Sequence, residues 1–219
     1  MQLAQATAVR LAAIAAAAIR TRGSFALALS GGTTPWPMLA VLATLVLDPE
    51  RIEVFQVDER AVPDGDERRN WTHIRRSFVD RLPIPEANLH PMPVLAAPEP
   101  AAREYAAALA RVAGTPPVLD CALLGLGDDG HTASLVPNDP VLDVDDRDVA
   151  WTAAPYQDTQ RMTLTFPCLA RARHLVWLVA GDGKAEMVAR AQRGDRSIPA
   201  GRLPTAQAEW FLDAAATPA

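Results

Sequence analysis

The sequence predicts an α/β fold, a three-layer Rossmann-like parallel sheet with helices on both faces, and two observations predict it. Short apolar runs rich in Val, Leu and Phe alternate with longer segments of helical period, the pattern of strands buried on both faces between helices. The chain has 219 residues, 49% of them apolar and 21% charged, which is the composition of a globular protein with one substantial core. A single domain over residues 1–219 is the expectation, because no repeat or linker divides the chain.

The elements are taken in chain order. The Ala-rich stretch "VRLAAIAAAAIRTR" lies in an expected helix over 2–21; it leads directly into "GSFALALSGG" with no polar cleavage region, so it reads as part of the fold and not as a secretory leader. A strand follows at 25–30 ("FALALS"), then a helix at 35–47 opened by Pro35, whose fixed φ suits a first helical turn. "IEVFQVDE" (52–59) is the second strand and 70–82 the next helix. The Pro-rich stretch 82–100 reads as an extended surface connection, since strands of the same kind resume after it. A helix at 99–113 and strands at 119–127, 148–154 and 174–181 complete the pattern, with a last helix at 183–193.

Composition narrows the function. The formal net charge is −5 and no block of Lys and Arg occurs, so neither nucleic acid nor an anionic membrane is an expected partner. No apolar run reaches the 18 or more residues of a membrane-spanning helix. Cys121 and Cys168 stand alone in apolar segments and read as buried free thiols of a reducing, cytoplasmic compartment. His73, His90, His131 and His174 form no HxxxH or HxH pair, so no metal is assigned.

In an open α/β sheet, ligands bind beyond the carboxyl ends of the strands, and four strand ends here carry unusual chemistry. "SGGTTP" places Ser30, Gly31, Gly32 and Thr33 between a strand and a helix start. Backbone N–H groups, hydroxyls and the helix terminus there suit a phosphate, although a plain N-cap and tight turn is the alternative. It is not a Walker A loop, because the Gly-Lys-Ser/Thr ending is absent. "DERAVP" exposes Asp58, Glu59 and Arg60; Arg60 suits a bidentate phosphate contact with Asp58 to orient it, against the alternative of a solvated charge cluster. Lys184 in "GDGKAE" is either a phosphate contact or an exposed helix-start lysine.

The fourth end, "GLGDDGHTAS", contains a decoy. Gly125, Gly127 and Gly130 match G-x-G-x-x-G, yet a dinucleotide's pyrophosphate would have to settle where Asp128 and Asp129 project, and no acidic residue ends the following strand. Asp129 two residues before His131 fits other chemistry: a carboxylate fixes an imidazole's tautomer and raises its basicity, leaving the other nitrogen to take a proton from water. The alternative is a structural histidine in a turn.

Together, "LALSGGTTP", "VDERAVP" followed by "RRNW", "LLGLGDDGHTASLVP", "RMTLTFPCL", "GDGKAEM" and "EWFLDAAA" resemble, in order and spacing over almost the whole chain, the 6-phosphogluconolactonases. The Gly-x-Gly-x-Asp-Gly-His-Thr-Ala-Ser block is the most specific part. The resemblance implies a fold related to glucosamine-6-phosphate deaminase and ribose-5-phosphate isomerase, no metal or organic cofactor, and hydrolysis of 6-phospho-D-glucono-1,5-lactone, the second step of the oxidative pentose phosphate pathway. It casts His131 as general base and Asp129 as its orienting group. The phosphate and substrate contacts would be Ser30, Gly31, Gly32, Thr33, Asp58, Arg60, Gly130, Arg161 and Lys184. Backbone donors of the glycine turn or Arg161 would stabilise the oxyanion, and the enzyme would be a monomer or homodimer.

The chain departs from the family pattern at Arg69-Asn70, where Ser-Asn is usual, at "SLVPND" and at "YQDTQ", where a Pro-rich loop is common. Glucosamine-6-phosphate deaminases share the glycine loops but continue with His-Ile-Ala-Phe-Asn-Glu where this chain has "HTASLV". A sugar-phosphate sensor of the same fold would have no need of His131.

Overall fold

The computed structural model describes residues 2–45 and 48–218. Five strands form a parallel sheet: β1 (Phe25–Leu29), β2 (Ile52–Gln56), β4 (Cys121–Leu124), β7 (His174–Val179) and β8 (Ala208–Leu212), in the order β2-β1-β4-β7-β8. A second, three-stranded antiparallel sheet runs β3-β6-β5, from β3 (Asp58–Arg60), β5 (Val149–Trp151) and β6 (Arg161–Leu164). The helices are α1 (Gln2–Arg22), α2 (Pro35–Leu45), α3 (Asn70–Ser77), α4 (Pro98–Ala113), α5 (Phe166–Ala170) and α6 (Ala185–Gln192).

Burial explains the layers. Every residue of β1 and of β4 is buried, and their side chains alternate between two cores. Phe25, Leu27 and Leu29 pack with Leu11, Ile14 and Ala18 of α1, Met38, Leu39 and Leu42 of α2, and Ile74 of α3. Ala26 and Ala28 face the other core, with Tyr105 and Leu109 of α4, Val188 of α6, and Met162 and Leu164 of the small sheet. Each fully buried Leu or Phe stabilises the fold by about 1.5–3 kcal/mol relative to exposure. α1 is long and apolar enough to cross a membrane by length and composition, with a mean hydropathy of 1.4, but here it is a layer of the fold: one face enters the core, and Arg10 pairs with Glu209 of β8 at 2.6 Å.

The parallel sheet and its flanking helices are as predicted, and several boundaries differ. The strand expected at 148–154 is β5, and it belongs to the antiparallel sheet. The strand expected at 52–59 is two strands, because the chain changes sheets at Val57, whose N–H bonds Leu29 O of one sheet while its carbonyl accepts from Leu164 N of the other. The strand expected at 119–127 keeps only 121–124 in register; Gly127 N turns to His131 O at 2.8 Å. The helix expected at 70–82 stops at Ser77, since Phe78 leaves helical backbone (φ −134°, ψ −64°). Residues 46 and 47 of the helix expected at 35–47 lie outside the described residues. β6, β8 and α5 had no counterpart in the sequence reading.

The strand order sets the site. From β1 the chain first moves outward to β2, and later crosses to the other side to place β4, so the order reverses between β1 and β4. A crevice opens at such a reversal beyond the strands' carboxyl ends. Ser30 and Gly125 follow those two strands, and a Cβ on Gly125 would stand 3.8 Å from Ser30 Oγ.

Candidate active site

The crevice is a cavity of about 290 Å³ lined by both sheets. The β1 turn contributes Ser30, Gly31, Gly32, Thr33 and Thr34; the β4 turn contributes Gly125, Leu126, Gly127, His131 and Ala133. The small sheet contributes Asp58, Arg60 and Arg161, and Lys184, at the N-cap of α6, closes another side. A larger recess of about 720 Å³ beside α3 and α4 lies away from these strand ends, and its Arg75 and Arg76 are already paired with Asp80, Glu86 and Glu67.

At the β4 turn, His131 Nδ1 lies 2.6 Å from Asp129 Oδ1, which also accepts the His131 backbone N–H at 3.1 Å. Nε2 has no hydrogen-bond partner among the described residues, so the ring turns that nitrogen away from the carboxylate. Gly127 makes this possible, because a Cβ there would stand 2.0 Å from Nδ1. Partial burial pushes the Asp129 carboxyl up, but the hydrogen bond and charge of His131, its backbone N–H and the Tyr156 hydroxyl outweigh this and hold it well below the usual carboxylate range. Asp129 therefore stays ionised beside the ring. Among the described residues, no three His, Cys, Asp or Glu side chains converge as a metal site.

The cations come from β3 and β6. Arg60 and Arg161 stand directly opposite each other in the antiparallel register. Like charges so placed repel, and an anion between their guanidinium groups relieves this. Arg161 is 3% exposed; burial lowers its guanidinium from the ordinary value, Asp58 raises it and Arg60 lowers it further. Lys184 Nζ donates to Leu126 O at 2.8 Å and pairs with Asp128 at 2.5 Å, which ties α6 to the β4 turn.

Most of the predicted site residues meet here, with three differences. Asp58 and Glu59 are not an exposed charge cluster: they are 4% and 0% exposed. Asp58 does not orient Arg60 but accepts from Ser134 Oγ at 2.6 Å. Arg60 Nη1 instead donates to Asn70 Oδ1 and to Arg68 O, both at 2.8 Å. Gly130 does not line the cavity; its N–H is bonded to Gly127 O at 3.0 Å and it packs against Ile198. Asp129 also stays off the cavity wall, bonded to His131.

Asn70 and Tyr156 contribute without having been expected to, and Glu59 contributes as a buried acceptor instead of an exposed charge. Asn70 bridges Arg60 to the β1 turn: its amide donates to Asp58 O at 3.0 Å and presses against Gly31, where a Cβ would meet Asn70 Oδ1 at 1.9 Å. Glu59 accepts from the backbone N–H groups of Arg60, Asn70 and Trp71 and from Gln56 Nε2, fixing the start of α3. Burial pushes the Glu59 carboxyl up, and these four donors only partly offset it. Tyr156 reaches Asp129 Oδ2 with its hydroxyl at 3.1 Å. A signal for Asn70 stood in "RRNW", twelve residues after Asp58 and at the start of a helical pattern.

Comparison with known proteins gives the chain's family. A family model described as "Glucosamine-6-phosphate isomerases/6-phosphogluconolactonase" matches residues 1–212. A 6-phosphogluconolactonase of Synechocystis sp. is 43% identical over 205 residues, covering 90% of this chain and 85% of the relative. One from Nostoc sp. is 36% identical, covering 91% and 86%. The crystal structure of a 6-phosphogluconolactonase from Thermotoga maritima superposes with a TM-score of 0.87 at 25% identity, over 97% of this chain and 95% of that one. With a family match over nearly its whole length and relatives of this similarity, the chain belongs to the glucosamine-6-phosphate isomerase/6-phosphogluconolactonase family.

Proposed function

We infer that this protein is a 6-phosphogluconolactonase, hydrolysing 6-phospho-D-glucono-1,5-lactone to 6-phospho-D-gluconate in the oxidative pentose phosphate pathway. The observation that carries the reading is the meeting, in one cavity, of a carboxylate-held imidazole with Arg60, Arg161 and Lys184. The N–H groups of Gly31, Gly32 and Thr33 find no acceptor among the described residues. With Ser30 and Arg60, which Asn70 ties to the same turn, they form the phosphate end. His131 lines the same cavity from the β4 turn, and Arg161 lines it from β6, opposite Arg60 and bonded to the Tyr156 turn.

Holding the phosphate at one end sets the lactone carbonyl against a water near His131 Nε2, which supplies orientation that a diffusing encounter lacks. His131 takes a proton from the water as its oxygen attacks the carbonyl carbon. Arg161 contacts the carbonyl oxygen of the bound lactone and, more tightly, the oxyanion of the tetrahedral intermediate. Collapse breaks the bond to the ring oxygen, which takes the proton back from His131, leaving the open-chain acid. Asp129 keeps Nδ1 protonated and supports the imidazolium while it exists. No step requires a metal or organic cofactor, and the reading includes a cytoplasmic enzyme acting as a monomer or homodimer on a small molecule, without nucleic acid or membrane.

The test is a pH-stat assay on freshly generated lactone, corrected for spontaneous hydrolysis, before and after EDTA treatment and dialysis. Activity should survive EDTA, and kcat/KM for unphosphorylated gluconolactone should be far lower. Equal kcat/KM for the two lactones would refute the phosphate site, and loss of activity restored by one divalent ion would refute metal independence.

A further inference from the structure

The segment 156–159 forms a tight turn beside two residues that line the site, His131 and Arg161. Tyr156 N donates to Thr159 O at 2.9 Å, and Gln157 and Asp158 between them take left-handed backbone, at φ 51° and 65°. For residues other than glycine such backbone is uncommon and needs support from its surroundings. Arg161 supplies it: Nε donates to Tyr156 O at 3.2 Å, Nη2 to Gln157 Oε1 at 2.9 Å, and the guanidinium carbon lies 5.0 Å from the centre of the Tyr156 ring.

So held, Tyr156 reaches across to the base. Its hydroxyl donates to Asp129 Oδ2 at 3.1 Å and lies 3.3 Å from His131 Nδ1, which is itself held by Oδ1 of the same carboxylate at 2.6 Å. The Tyr156 and His131 rings meet edge to face, with centres 5.3 Å apart and planes at 71°. The Asp129 side chain is 39% exposed and lies in a surface turn, so a bond to Oδ1 alone leaves its carboxylate free to rotate. The second bond fixes the plane. Burial pushes the Tyr156 phenol up, and the Asp129 charge and hydrogen bond push it further, so the hydroxyl remains a donor at neutral pH.

We propose that Tyr156 is a positioning residue for the lactone hydrolysis: its hydroxyl fixes Asp129, and through it His131, while its ring and carbonyl seat Arg161, so that base and cation are placed as one unit. The inference rests on His131 being the base. It predicts two separable effects. Removing the hydroxyl should lower kcat and leave KM unchanged, whereas removing the ring should also raise KM through Arg161.

The experiment measures kcat and KM on the phosphorylated lactone for Tyr156→Phe, Tyr156→Leu, Asp129→Asn and the double variant Tyr156→Phe/Asp129→Asn, with His131→Ala beside them. Loss of one hydrogen bond predicts about a three- to ten-fold lower kcat in Tyr156→Phe at wild-type KM. Because the hydroxyl, Asp129 and His131 Nδ1 form one network, the double variant should lose less than the product of the two single losses. Tyr156→Leu should raise KM as well. Wild-type kcat in Tyr156→Phe, or losses that multiply in the double variant, would overturn the proposal while an inactive His131→Ala left the base assignment standing. Near-normal turnover in a folded His131→Ala would overturn both.

Discussion

In the parallel sheet, β1 and β4 bury only apolar side chains apart from the small thiol of Cys121, whereas in the small antiparallel sheet β3 and β6 bury Asp58, Glu59, Arg161 and Thr163. The two are joined at Val57 and share one cavity, yet they serve it differently. A strand covered by helices on both faces has no side chain left to face a ligand, so the large sheet acts through its ends: glycine turns, N–H groups and the His131 turn. The small sheet stands across the mouth and presents strand side chains directly. Its buried charges must then be satisfied, and they are: Asp58 by Ser134, Glu59 by four donors, and Arg161 by the Tyr156 turn. One sheet is held by apolar burial, the other by a polar network that also lines the cavity.

The largest expected effect breaks the contribution of the large sheet's end. His131→Ala should lower kcat by roughly two to four orders of magnitude, the usual contribution of a positioned proton acceptor. Affinity for 6-phosphogluconate, measured by calorimetry, should stay nearly unchanged, because the proposed phosphate contacts come from other residues. The acid limb of the kcat/KM profile should vanish with the imidazole. Near-normal turnover in a folded, ligand-binding variant would make His131 a structural histidine.

The next pair separates the two sheets. Leu27→Ala in β1 should cost about 2–5 kcal/mol in a urea titration, by lost burial and a cavity, and leave KM of the folded protein unchanged. Arg161→Met in β6 should do the reverse: kcat/KM falls about ten- to a hundred-fold with the loss of charge-assisted contacts, while the unfolding midpoint moves far less, because a like-charge pair is relieved as two turn contacts are lost. If Arg161→Met were the more destabilising of the two, the small sheet's cations would be structural.

The same contrast decides what could be read in the sequence. β1, β2, β4 and β7 are apolar runs between turn signals, and their layer, the parallel pairing and the strand ends that line the cavity followed from that. "RMTL" and "DER" carry no such signal: they are short, with charged residues that look solvated unless the partner strand is known. Their burial depends on pairs such as Arg60 opposite Arg161, made between residues about a hundred positions apart. β8 was missed for a related reason. It is a half-buried edge strand of mixed character, fixed by the stacking of Trp210 on Trp177 at 4.6 Å and by Arg10 on Glu209. In the site, the pairing of His131 with Asp129, two residues apart, was legible, whereas Asn70 and Tyr156 act through partners ten to twenty-seven residues away and the burial of Glu59 depends on the start of α3.

The smallest effect sharpens the reading of the His131 turn. Asp129→Asn keeps the side chain's shape and can still hold the ring, but it cannot stabilise the imidazolium, so kcat should fall in the same direction as in His131→Ala and by less. Stability carries a second signature. Burial alone would raise the Asp129 carboxyl, but the bonds from His131 and Tyr156 hold it well below the usual range. A depressed folded value means that the unfolded chain binds the proton more readily, so the ionised carboxylate contributes stability at pH above about 4, and that contribution is lost as pH falls through the folded value. Urea midpoints should therefore place Asp129→Asn below the wild type at pH 7, with the gap narrowing as the pH is lowered below about 4. A gap that stayed constant with pH would mean that the charge of Asp129 is not what holds the turn, and His131 would then owe its orientation to Gly127 and the backbone alone.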